Sequence, residues 1–174
     1  MKPVDMVVAA KLVSAALFGI TYQGLAEALE ISTSEAHASA QRLMKAGLFR
    51  TRLEADRKVP YPYQRALLEF WIHGVKYLYP PEHGAPTRGV PTSIGAPPLA
   101  EQFAQPDGGP PVWPSATGLV RGPALQPIHK SALPASSDTR VYELLALIDA
   151  LREGRSREAK LAQDLLRERV GLWA

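Results

Sequence analysis

Thirteen residues, Gln41 to Leu53, carry four cations, Arg42, Lys45, Arg50 and Arg52, and no acid. This is the one local basic cluster of a chain whose formal net charge is only +3, so it is the first candidate for holding an anion. Nothing else assembles into recognisable chemistry. The four histidines, His37, His73, His83 and His129, lack metal-ligand spacing, and no cysteine is present to supply a thiolate or a zinc ligand. No glycine-rich phosphate loop, His-Glu-x-x-His or Gly-x-Ser-x-Gly occurs, and Asp138, Glu143 and Asp149 are expected on different or solvated helix faces rather than paired for acid–base work. The expectation is a protein that is not an enzyme, with no cofactor and no metal. His73, between Ile72 and Gly74, reads as a hydrogen-bonded core histidine.

The cluster needs elements to position it. Val4 to Leu17 has a helical apolar face (Val4, Val7, Val8, Leu12, Ala15), with Pro3 suited to a first turn and Gly19 to an end. Thr21 can cap a helix over Tyr22 to Leu29, with Leu25, Ala26 and Leu29 inward. After a break at Ile31, Ser32, Thr33 or Ser34 can cap a third helix to about Ala46, with Ala36, Ala40 and Leu43 inward and Gly47 closing it. Phe49, Thr51 and Leu53 then alternate with Arg50, Arg52 and Glu54, as in a strand that turns at Glu54 to Arg57 and returns through Lys58 to Tyr61. Tyr63 to Tyr79 is a helix apolar around most of its circumference, expected to be buried on more than one side.

From Pro80 to Pro134 the composition changes, with thirteen of the sixteen prolines and seven glycines. Regular helix is disfavoured there, and an extended arm packed over the folded parts or over a partner is the expectation. Two short sites in it, TRGVP (Thr87 to Pro91) and VRGP (Val120 to Pro123), echo each other and read as turns. Asp138 to Arg152 and Ser156 to Val170 form a helical hairpin about Gly154, with balanced charge and solvated outer faces. The organisation is thus 1–62, a head; 63–79, an apolar connecting or dimerisation helix; 80–134, the arm; and 135–174, the hairpin. The fold class expected is mainly α.

The order and spacing in TYQGLAEALEISTSEAHASAQRLMKAGLF resemble the winged helix-turn-helix domains of bacterial transcriptional regulators of the multiple-antibiotic-resistance type, over residues 4–59. The resemblance implies a DNA-binding repressor acting as a homodimer on double-stranded DNA. It puts the N-terminal half of the third helix in the major groove, where Ser34, Glu35, His37, Ala38 and Gln41 face the bases, Glu35 alternatively serving the helix N-terminus. Arg42, Lys45, Arg50, Arg52, Arg57 and Lys58 are then expected on phosphates. The alternative is an antitoxin-like or adaptor protein that clasps a neighbouring gene product through residues 80–174. No run is apolar and long enough for a membrane span, so no membrane contact and a cytoplasmic location are expected.

Overall fold

The computed structural model describes every residue but Leu17, Phe18, Ala55 and Ala174, and the side chains of Glu54, Arg57, Leu172 and Trp173 also lie outside the described set. The expected helix end at Leu17 and the Ala55 position of the turn therefore fall outside the described residues.

Three helices open the chain: α1 (Pro3–Ser14), α2 (Tyr22–Leu29) and α3 (Thr33–Lys45). Local chemistry accounts for their limits. The Thr21 hydroxyl accepts from Gly24 N, and the Ser32 hydroxyl from Glu35 N, so each helix has one of its orphan donors satisfied. α3 ends with Gly47 at φ 72°, its N–H donating to Met44 O and that of Leu48 to Leu43 O, the paired bonds of a left-handed helix stop. α2 ends on Glu30 at φ 51°, a conformation that a residue with a Cβ adopts at some cost. The strands β1 (Phe49–Glu54) and β2 (Arg57–Pro62) follow as an antiparallel hairpin with Arg52 opposite Val59 and Leu53 opposite Lys58.

α1 departs from the one-faced helix that its spacing suggests. Every residue from Val4 to Ser14 except the half-buried Lys11 is buried, because α1 lies between α3 and a late helix, α7 (Thr139–Glu153). α7 in turn is buried along Leu144 to Arg152, so it is a central helix rather than half of a solvated hairpin; its partner α8 (Ser156–Trp173) packs along it. Before them, Tyr63 to Tyr79 is helical but broken, as α4 (Gln64–Glu69), a π-helical turn over Phe70–Gly74 and α5 (Val75–Leu78). It buries Leu67, Trp71, Ile72 and Val75 and leaves Arg65, Glu69, His73 and Tyr77 outside. His73 is accordingly exposed, not a core histidine.

The proline-rich segment corrects the expected fold class. In place of an extended arm, residues 83–125 contain β3 (His83–Pro91), β4 (Val112–Pro114) and β5 (Val120–Leu125), closed on one another in a small three-stranded barrel, and the molecule is a mixed α/β fold with 52% helix and 17% strand. Glycine is what permits the closure. A Cβ on Gly89 would stand 2.1 Å from Trp113 O, and one on Gly122 would stand 1.9 Å from Pro110 O, so the backbones approach where any side chain would part them. The proline content that argued against helix left strands open: Pro86, Pro91, Pro114 and Pro123 lie within β3, β4 and β5, where each lacks the N–H to donate to a ladder but keeps the extended backbone and an accepting carbonyl.

A buried polar cluster fastens this barrel to α7. Asp149 accepts from Thr92 Oγ1 at 2.8 Å, Trp113 Nε1 at 2.6 Å and Arg152 Nη1 at 2.6 Å. Arg152 donates further to the carbonyls of Tyr79, Pro80 and Gln126, which tie both ends of the barrel segment to the same guanidinium. Asp149 is thus buried, contrary to the solvated face expected of it. Burial pushes its carboxyl above the usual range, against the opposing pull of Arg152, Thr92 and Trp113. Asp138 and Glu143 have separate structural tasks: Asp138 caps α7 and pairs with Lys11 at 2.7 Å, and Glu143 pairs with Arg169 at 2.9 Å. A short α6 (Ala132–Ala135) links the barrel to α7.

Candidate nucleic-acid interface

α3 is held from beneath by Ala36, Ser39, Ala40 and Leu43, all buried against the neighbouring helices. The helical period then sends Ser34, His37, Gln41 and Lys45 outward in one row, all four exposed, with Ala38 half-buried beside them. The row is partly organised. His37 meets the Tyr22 ring edge-on with centroids 5.0 Å apart, and Gln41 Nε2 lies 3.5 Å from His37 Nε2. Alongside, between α3 and the hairpin, runs a cleft of about 420 Å³ whose walls include Tyr22, Gln41, Lys45, Thr51 and Lys58. Tyr22 and Thr51 were not among the sequence candidates; neither carries a charge, and only the approach of the hairpin to α3 brings them to the same cleft.

The cations divide into two sets. Lys45, Arg50 and Lys58 are exposed, and the Arg50 guanidinium lies flat over Tyr63 at 3.5 Å, which holds it in place without neutralising it. Arg52 is half-buried, stacked on Tyr61 at 3.8 Å and donating to Ala16 O at 3.3 Å. The Arg57 side chain falls outside the described residues. Arg42 and Glu35 do not face outward as expected. Arg42 Nη2 sits 2.6 Å from both Asp5 Oδ1 and Glu35 Oε1, its Nε reaches both Asp5 oxygens, and Asp5 is fully buried at the start of α1. The Ser39 hydroxyl at 2.7 Å and the Lys2 backbone N–H at 2.7 Å complete the shell around that carboxylate.

The energetic logic of the cluster explains the correction. Burial raises the Asp5 carboxyl, but the donors from Arg42, Lys2 and Ser39 outweigh it and hold the group below its ordinary value. The hydrogen bond from Arg42 likewise lowers Glu35, and those two acids raise Arg42. An arginine engaged by two carboxylates brings little positive charge to an incoming phosphate. The signal in the sequence was Asp5 itself, a lone acid inside the apolar run VDMVVAA, which requires a cation that the chain supplies 37 residues later.

No family model, curated protein or solved structure matches the chain. Among the described residues no helix is long and apolar enough to cross a membrane.

Proposed function

We propose that α1 to α3 with the β1–β2 hairpin form a winged helix-turn-helix reading head, and that the protein is a sequence-specific, DNA-binding transcriptional regulator that acts as a homodimeric repressor. The observation that carries this reading is the exposed row Ser34, His37, Gln41 and Lys45 on a capped helix, bordered by a hairpin bearing Arg50 and Lys58. Neutral donors and acceptors on the helix suit base edges, Gln41 above all for adenine, while Lys45, Arg50 and Lys58 suit the phosphates on either side. Three such exposed cations among the described residues give one head weak, salt-sensitive binding, so two heads acting together are part of the proposal. The outward stripe Arg65, Glu69, His73 and Tyr77 of the α4–α5 helix offers a face for pairing.

The test is a mobility shift on the gene's own upstream region. Lys45→Ala with Lys58→Ala should weaken binding and lower the magnitude of the log–log salt slope by about 2 per head, whereas Gln41→Ala should relax the preferred sequence with the slope kept. Retention of both affinity and slope in the lysine double variant would overturn the proposed phosphate surface. Arg42 is unsuitable for this purpose, since its loss would act through the Asp5 cluster.

A further inference from the structure

The echo between TRGVP and VRGP has a structural basis. The two sites are not turns; they are neighbouring antiparallel strands, with Arg88 of β3 directly opposite Arg121 of β5 and Thr87 opposite Gly122. Both arginines are exposed, and among the described residues neither has an ion pair or a side-chain hydrogen bond. Directly opposed side chains on a sheet have Cβ atoms about 5 Å apart, and like charges so placed are unfavourable. The inward sides of the same strands are set by Gly89 and Gly122, whose missing side chains let the barrel close, so the arginines contribute nothing to that closure. Asp107 lies in the loop whose Gly109 packs against the Arg121 backbone, yet it makes no ion pair with either arginine. Two residues before Arg121, Leu119 is 95% exposed, the most exposed large apolar side chain among the described residues.

We infer that Arg88, Arg121 and Leu119 form a docking site for an acidic segment of a partner protein, a peptide that presents carboxylates to the two guanidinium groups and an apolar side chain to Leu119. Two guanidinium groups across one strand pair can take a carboxylate between them with charge-assisted hydrogen bonds, which removes their mutual repulsion. Arginine is among the residues that most often carry binding energy at protein interfaces, and the exposed Leu119 side chain two residues away adds apolar surface that only an apolar group of the partner would cover. A phosphate backbone would use the arginines and leave Leu119 in water, which is why a peptide is favoured over nucleic acid. This inference is independent of the DNA-reading proposal, since it uses no residue of α3 or of the β1–β2 hairpin.

The test is fluorescence anisotropy on the full chain at low ionic strength with three labelled probes: an acidic peptide of alternating Glu and Leu, the same peptide with Gly for Leu, and a random-sequence DNA duplex. The Glu-Leu peptide should bind, and Arg88→Gln with Arg121→Gln should weaken it on the order of tenfold or more, as expected for two charge-assisted contacts. Leu119→Ser should bring the Glu-Leu peptide down to the affinity of its glycine counterpart, and Lys45→Ala with Lys58→Ala should leave both peptides unaffected. Because both arginines are exposed, the double glutamine variant should fold, with a melting temperature equal to or above that of the parent once the opposed charges are gone. Equal binding of the Glu-Leu peptide to parent and glutamine variant, or loss of the duplex alone in that variant, would overturn the inference. So would a Glu-Leu peptide that binds no more tightly than the glycine one.

Discussion

At the scale of single residues, the commitments of this chain lie in a few buried charges. Asp5→Asn leaves Ser39 facing a neutral amide and Arg42 with Glu35 as its remaining carboxylate; because Arg42 keeps that partner, the loss should fall below the about 3–5 kcal/mol of a buried pair broken outright, and urea unfolding should read it as a lower midpoint with the slope retained. Acid should act on this cluster and on the Asp138–Lys11 pair. Asp5, Glu35 and Asp138 have folded-state values below their ordinary ones, so the unfolded chain binds more protons in the window between, and the stability that they supply is present above the ordinary carboxylate range and lost as the pH falls through the folded values. Chemical unfolding followed from neutral pH down through those folded values should show this decline, partly opposed by Asp149, whose carboxyl is raised in the fold, and it should be smaller in Asp5→Asn. Glu30→Gly tests the opposite sign. At φ 51° glycine avoids the strain that a Cβ carries, and removing it should add about 1 kcal/mol, provided that the sharp turn between α2 and α3 is kept.

At the scale of elements, what could be read in advance was whatever depends on near neighbours. The caps at Thr21 and Ser32, the stop at Gly47 and the alternation in Phe49 to Leu53 are local signals, and α2, α3 and the hairpin stand where those signals put them. The exposed row Ser34, His37, Gln41 and Lys45 follows from the same period. Arg42 lies on that side by spacing alone, and only contact with Asp5 on another helix draws it inward. The barrel was illegible for a related reason: its strands are proline-rich and without alternation, and its closure depends on glycines meeting backbone far away in the chain. Gly89→Ala should therefore be among the most damaging small substitutions in the molecule. Its Cβ would contact rigid backbone, and a loss of at least about 2 kcal/mol is expected from thermal or urea unfolding, whereas Gly108→Ala, open to solvent, should be close to neutral.

At the scale of the whole molecule, α1 makes the head and the body share one core. Val4, Val7, Val8, Leu12 and Val13 join a continuous apolar cluster with Leu144, Leu147, Ile148 and Leu166, so residues 1–62 alone would expose the side of α1 that α7 covers in the full chain. A chain cut after Pro62 is expected to lose its cooperative unfolding transition, measured by circular dichroism against denaturant, while the full chain should unfold in one step with coincident near- and far-ultraviolet signals. The Arg152 guanidinium acts at the same scale. Arg152→Met leaves Asp149 buried without its cation and three backbone carbonyls without a donor, and it should loosen residues 80–126 as a unit, seen as faster amide exchange across β3 to β5. The closure of β3, β4 and β5 has a further consequence for how this part of the molecule meets others. Where β4 closes the sheet, over Gly89 to Pro91 of β3 and at Ala124 of β5, the strand edges are already taken, so that end of the segment is guarded against edge-to-edge aggregation, and a partner there must be recognised by side chains standing on its surface rather than by backbone pairing.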